Sequence, residues 1–274
     1  MDPDVLKHYR PISNIPFLSK VLENVVASQT VSCLETNGLL PCMQSAYRKH
    51  HSTETALIRV LNDILRSVDK HSDVVLILLD LSAAFDTIDH SFLLTRLSRY
   101  FGFSGTVLQW YQSYLMNRKQ SVIIGNNIST SRPVEFGVPQ GSVLGPLLFI
   151  LFLAPLQNII LSHNLQCMSY ADDTQLYISI DPKGQGTQLN TLHECVDDVI
   201  LWFSNNLLMC NPDKTEIILF TSLYFTLLYW LRSYFFGSYS LPRSSHSLSF
   251  CCILALPRFS TSPPQCMLGN IQKF

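Results

Sequence analysis

Tyr170-Ala171-Asp172-Asp173 decides how the rest of the chain is read. The two carboxylates lie between apolar runs that read as strands, Leu165–Met168 and Leu176–Ile180. A turn between those strands would carry the pair to the tip of a hairpin, beyond the sheet. Adjacent carboxylates repel, and in an apolar setting a cation is needed to hold them together. Such hard oxygen ligands suit Mg²⁺ or Mn²⁺, not a thiolate-seeking metal. A solvated turn would carry the same pair without any ion, so the reading depends on a second carboxylate elsewhere.

That carboxylate is Asp80, at the end of Val74-Val75-Leu76-Ile77-Leu78-Leu79. Six apolar residues in a row, with β-branched members, read as a strand buried on both faces. Asp80 would then sit where α/β sheets present their chemistry. It could equally cap a helix beginning at Ser82-Ala83-Ala84-Phe85. Beside Asp172, however, it makes a two-metal site plausible, with ions about 3.5–4 Å apart activating a hydroxyl and stabilising a leaving oxygen in phosphoryl transfer. Between the two motifs lies Phe136-Gly137-Val138-Pro139-Gln140-Gly141-Ser142-Val143-Leu144-Gly145-Pro146. Its glycines and prolines specify a tight path, close enough for a ligand or base pair to approach the main chain. A structural loop capping the next helix would have the same composition. It lacks the Gly-Lys-Ser/Thr ending of a P-loop. The run Leu147–Leu153 after it is too short to span a bilayer and reads as a buried helix.

Together these stretches resemble the reverse transcriptases of non-long-terminal-repeat (LINE-type) retrotransposons. Leu79-Asp80-Leu81-Ser82-Ala83-Ala84-Phe85-Asp86 resembles motif A, Gly137-Val138-Pro139-Gln140-Gly141-Ser142 motif B, and Tyr170-Ala171-Asp172-Asp173 motif C. Tyr9-Arg10-Pro11-Ile12-Ser13 and Gln44-Ser45-Ala46-Tyr47-Arg48 are similar to the fingers motifs, and Asn211-Pro212-Asp213-Lys214-Thr215-Glu216 to motif D. The resemblance covers about residues 2 to 220. It implies a mixed α/β (α+β) fold: the fingers and palm of a right-hand polymerase, with an antiparallel palm sheet backed by helices.

The implied activity is RNA-templated DNA synthesis with Mg²⁺ or Mn²⁺ as cofactor and an RNA template, a DNA primer and deoxynucleoside triphosphates as partners. By the resemblance, Asp80, Asp172 and Asp173 hold the metals, and Leu81 lends its backbone carbonyl. Phe85 would lie against the sugar of the incoming nucleotide and reject a 2′-hydroxyl; anchoring its segment to the core is the plainer role. Gln140 and Gly141 would lie near the template and the nascent base pair. Arg10 foremost, then Lys20 and Arg48, are candidates for the triphosphate. Lys214 corresponds to a lysine proposed to protonate the leaving pyrophosphate. It could also be a turn-tip lysine, since Asn211-Pro212-Asp213 is turn chemistry.

Composition sets bounds on this reading. The chain has 274 residues, 47% of them hydrophobic, which supports a substantial core. Only 14% are charged and the net charge is −1, unusual for a nucleic-acid polymerase. Arg48-Lys49-His50-His51, Arg96 with Arg99, and Arg118-Lys119 are the local basic clusters. The eight cysteines form no paired Cys-x-x-Cys zinc pattern and are expected as reduced thiols. The acidic N-terminus is no signal peptide, so the nucleus or cytoplasm is expected rather than secretion.

Helical spacing predicts a fingers helix within Ile15–Glu35, carrying Phe17, Val21, Val25 and Val26. A second, capped by Ser52, should turn Ala56, Val60, Leu61 and Leu65 to the core. Further helices follow Asp89, span Gln109–Leu115, and run from His193 to Leu207 with Val196, Val199, Ile200 and Phe203 inward. Gln120–Ile124 and the turn Gly125-Asn126-Asn127 predict a hairpin closing toward Val134, and Ile217–Phe220 a further palm strand. The divisions expected are 1–73 fingers, 74–108 palm, 109–135 connection, 136–220 palm, and 221–274 an atypical tail.

The tail has no Asp or Glu; it is apolar, then rich in Ser, Pro and Cys. No motif E hairpin or thumb is recognisable there, and a fortuitous extension is the expected origin. Ile217–Leu231 falls short of a membrane span, so no stable membrane association is expected. No endonuclease is expected before the fingers motifs. The rival readings are a catalytically inactive nucleic-acid-binding remnant and a truncated chain without function.

Overall fold

The computed structural model describes residues 12–181 and 185–221. Arg10 and residues 222–274, with the expectations placed on them, lie outside the described residues. In chain order the elements are α1 (Phe17–Thr36), α2 (Thr53–Asp69), β1 (Asp73–Leu79), β2 (Leu81–Ser82), α3 (His90–Arg99) and α4 (Gly105–Leu115). Four short strands follow: β3 (Arg118–Gln120), β4 (Ile123–Ile124), β5 (Asn127–Ile128) and β6 (Arg132–Val134). Then come α5 (Leu144–Ser162), β7 (Gln166–Tyr170), β8 (Asp173–Ile180), α6 (Gln185–Asn205), β9 (Met209–Cys210) and β10 (Glu216–Phe220).

β10, β1, β8 and β7 form one antiparallel sheet in that order. Alternate residues of β1 face opposite sides, and both sides are buried. Val75, Ile77 and Leu79 join the main core with α3, α5 and α6, whereas Val74 and Leu76 meet Ala56, Val60 and Ile64 of α2. This two-sided cover is why β1 reads as an unbroken apolar run. The main core is built around α5, where Phe149, Phe152, Leu148 and Leu151 are fully buried. Each such side chain contributes about 1.5–3 kcal/mol relative to exposure.

Several boundaries and faces differ from the sequence expectations. α5 has 19 residues and runs through Pro155, so it is long and apolar enough to cross a membrane, contrary to the count from Leu147–Leu153 alone. Two-thirds of it is buried in the core. On α2, Ser52 and Thr55 form the expected reciprocal cap. Yet Leu61 and Leu65 are exposed and Ile64 is buried in their place. On α1, Phe17, Val21 and Val25 face outward, while Glu23, Thr30 and Leu34 are buried. Ser82–Phe85 forms no helix: Leu81 and Ser82 pair with Cys210 and Met209, and a turn follows, so Asp80 is not a helix cap. The hairpin toward Val134 exists as two short pairs, β3 with β6 and β4 with β5. Tyr111 of α4 is a core residue whose hydroxyl bonds Thr30 at 2.7 Å.

Candidate active site

The sheet register brings the carboxylates together. Leu79 pairs with Thr174 across β1 and β8, so extending the register by one residue sets Asp80 opposite Asp173. Tyr170 pairs with Asp173 across β7 and β8, leaving Ala171-Asp172 as a two-residue turn. Ala171 sits at φ 57°, a left-handed conformation that a non-glycine residue adopts only when something holds it. Gln44 does so. Its Nε2 donates to the Ala171 carbonyl at 3.2 Å, and its Oε1 accepts from the Ala171 N–H at 3.0 Å. Two main-chain bonds, Ser45 N–H to Ser169 and Ser169 N–H to Met43, seat the same segment on β7. Sequence reading placed Gln44 in a fingers motif and missed this brace, because its partner is main chain far along the sequence.

Like charges converge here. Burial above all, then the charges of Asp172 and Asp80, pushes the Asp173 carboxyl up, while Lys214 draws it down. Asp80 Oδ2 is buried with no hydrogen-bond partner. Lys214 Nζ lies 3.7 Å from it, an ion pair too long for a hydrogen bond. Lys214 belongs to an Asn211 turn in which Thr215 N–H and Lys214 N–H both reach the Asn211 carbonyl. Asn211 N–H in turn donates to the Asp80 carbonyl at 2.8 Å. Lys214 is therefore on a turn, as Asn211-Pro212-Asp213 suggested, and that turn is bonded to Asp80. Leu81 is buried beside this contact, paired with Cys210.

The Asp86 end of the motif A stretch is joined to the Gly137 loop main chain to main chain. Val138 N–H donates to the Phe85 carbonyl and Gly137 N–H to the Ile88 carbonyl, each at 2.8 Å. The buried His90 donates through Nε2 to the Gly137 carbonyl at 2.7 Å. Gly137 has φ 83°, and a Cβ there would meet Phe85 and Asp86 backbone atoms at 2.9 Å. Phe85 stacks on Phe149 with ring centroids 4.7 Å apart, which fixes the ring whatever else it does. Gln140 Nε2 donates to both carboxylate oxygens of Asp86, at 3.2 and 3.0 Å. Gly141 lies under Ile12 and Ser13, and Ser13 N–H donates to the Gln140 carbonyl. Neither His90 nor Asp86 was singled out from sequence.

Lys20 is exposed on α1 and forms no ion pair among the described residues. Arg48 does not project as a free cation: its guanidinium donates to the Pro41 and Gln44 carbonyls, bracing the segment that holds the turn. Arg96, read as part of a basic cluster, ties α3 to the Phe152 carbonyl and Asn206. It also packs over the Phe152 and Trp202 rings, and burial lowers its guanidinium to about 10. No group of three or more His, Cys, Asp or Glu positioned for a metal occurs among the described residues.

An antiparallel sheet with helices behind it, a strand-end Asp and a two-residue Asp-bearing turn define the palm of a right-hand polymerase. The fold comparison agrees. Apo telomerase from Candida tropicalis, truncated from its C-terminal domain, matches with a TM-score of 0.55 at 14% identity, over 73% of this chain and 40% of that one. The RNA-dependent RNA polymerase of a human picorbirnavirus matches with a TM-score of 0.50 at 15% identity, over 76% of this chain and 37% of that one.

The sequence matches the family described as "Reverse transcriptase (RNA-dependent DNA polymerase)" over residues 2–251, and the chain belongs to that family. The match runs past residue 220, where the motif resemblance ended. A probable RNA-directed DNA polymerase from transposon X-element of Drosophila melanogaster is 37% identical over 60% of this chain and 18% of its own length. That from transposon BS of the same organism is 31% identical over 76% of this chain and 23% of its own. The polymerase from mobile element jockey is 28% identical over 80% and 24%. The likeness to retrotransposon polymerases read from the motifs is thus borne out. The chain spans about a fifth of the length of these relatives.

Proposed function

We propose that this chain is the fingers and palm of an RNA-directed DNA polymerase, joining deoxynucleotides to the 3′ end of a DNA primer on an RNA template. The observation that carries it is the convergence of Asp80, Asp172 and Asp173 at one end of the sheet, with Lys214 beside them. A buried Asp80 oxygen that makes no hydrogen bond, together with mutually repelling carboxylates, is a donor set that a hard divalent cation suits. Asp80, Asp172 and Asp173, with the Leu81 carbonyl, would hold Mg²⁺ or Mn²⁺. When bound, the ions lower the pKa of the attacking hydroxyl and neutralise charge on the transferring phosphoryl group.

The chain's own residues do the rest. Phe85, its ring held against Phe149, offers a fixed wall to the sugar and discriminates against a 2′-hydroxyl. Gln140 donates to Asp86, so its amide oxygen is left as the free acceptor toward the template side. Gly141 leaves room beside it for a base pair. Lys214 is largely exposed and near Asp80, and so can deliver a proton to the pyrophosphate as it departs. Arg10 is assigned to the triphosphate by its fingers motif alone, with Lys20 a weaker candidate outside the motifs. The same reading assigns 1–73 to fingers, 74–108 and 136–220 to palm, and 109–135 to the connection.

The test is extension of a DNA primer on an RNA template by the folded chain, with Mg²⁺ or Mn²⁺ and with a chelator. Templated addition of deoxynucleotides that stops on chelation is expected. A folded preparation that adds none with either ion would contradict the proposal.

A further inference from the structure

Glu23 of α1 is 2% exposed, yet among the described residues no ion pair reaches it. Its Oε2 accepts from the N–H groups of Val143 and Leu144, at 2.8 and 3.2 Å. These are the first donors of α5, whose own N-cap, Val143, supplies no side-chain bond. The next donor, Gly145 N–H, goes to Ser142 Oγ at 2.8 Å, and Pro146 has none to offer. The start of α5 is therefore satisfied by one residue within the loop and one residue 120 positions away.

Glu23 Oε1 and the hydroxyl of Tyr114 are both buried without a well-formed hydrogen bond, although the hydroxyl lies near enough to Ser142 and Glu23 for both to act on it. Burial first, with the Glu23 charge also contributing, pushes the Tyr114 hydroxyl up to about 12. A buried carboxylate without a cation is costly, and an apolar residue of the same volume often packs more cheaply. Departures of this kind are expected where geometry matters more than stability. The geometry in question is the 137–145 loop. α1 touches the end of this loop through Glu23, and the segment just before α1 touches it through Ser13, whose N–H donates to the Gln140 carbonyl.

We propose that Glu23 is a positioning residue: it locks α1 to the start of α5 and so sets the placement of Gln140 and Gly141 toward the incoming nucleotide. The placement of the loop stands on the geometry above; its consequence for nucleotide use rests on the polymerase reading. Two readouts separate them. Amide exchange in Glu23→Ala should quicken by about tenfold or more across 137–145, while β1, β7 and β8 change less than about twofold. Glu23→Gln keeps an acceptor of the same shape and should restore slow exchange, which also covers the case in which Glu23→Ala fails to fold. In primer extension, Glu23→Ala should raise the KM for deoxynucleotide about fivefold or more with kcat little changed, and Glu23→Gln should recover it. Exchange that is unaltered at 137–145, or quickened evenly over the whole chain in both variants, would overturn the proposal. A lowered kcat at unchanged KM would do the same. A wild-type chain that extends nothing would defeat the polymerase reading, and exchange would then decide the role of Glu23.

Discussion

At the scale of single residues, the site depends on side chains that satisfy main-chain groups as much as on its carboxylates. Asp89 is one. It accepts from Phe92 N–H at 2.9 Å and from the Ser91 hydroxyl, capping α3 next to the bridge from Asp89 to Phe136. Burial raises its carboxyl, but the bonds from Ser91 and Phe92 outweigh this and hold it below its ordinary value. A depressed folded value stabilises the protein above the unfolded carboxylate range, and that contribution is lost as pH falls through the folded value. Asp89→Ala should therefore cost about 1 kcal/mol at neutral pH. The gap should close in acid, below both values, as read from denaturant melts across pH. Equal stability at neutral pH would show that the cap contributes nothing. The Asp-His-Ser sequence made Asp89 legible as a helix start. Gln44, His90 and Glu23 were not legible, because each bonds to backbone more than forty residues away, and main-chain partners leave no trace in composition.

At the scale of elements, strands were easier to read than helix faces. β1 is an unbroken apolar run because both its faces are covered, and Asp80 follows at its end as expected. α2 carries apolar residues on two stripes: Leu57, Leu61 and Leu65 lie outward, while Ala56, Val60 and Ile64 meet the sheet. Periodicity identifies the helix but cannot choose between two stripes of equal hydrophobicity; packing against Val74 and Leu76 does. α5 showed the opposite problem. Pro155 would ordinarily end a helix, so its true length was hidden. The junction of the motif A and motif B stretches makes the sharpest demand on one residue. At Gly137 a methyl group would strike backbone, not a movable side chain, and φ 83° already disfavours it. Gly137→Ala should cost about 2–4 kcal/mol and loosen the contact that sets Phe85 against the loop. A thermal melt within about a degree of wild type would contradict that junction.

At the scale of the whole molecule, the fold places its chemistry with little help from net charge. The chain carries −1 overall, and two of its arginines, Arg48 and Arg96, are spent on carbonyls and packing. Other basic side chains stay exposed among the described residues, Lys20, Lys49, Arg99 and Lys119 among them. The motifs were legible because each is short and local, and the antiparallel register then places Asp80 opposite Asp173 across about 5 Å. The most direct test is RNA-templated primer extension by wild type and Asp172→Asn, with the folded state of each verified by circular dichroism. Loss of at least about a hundredfold in rate, in a variant that melts like wild type, is the predicted result. Extension by Asp172→Asn at the wild-type rate would place the chemistry somewhere other than the Ala171-Asp172 turn.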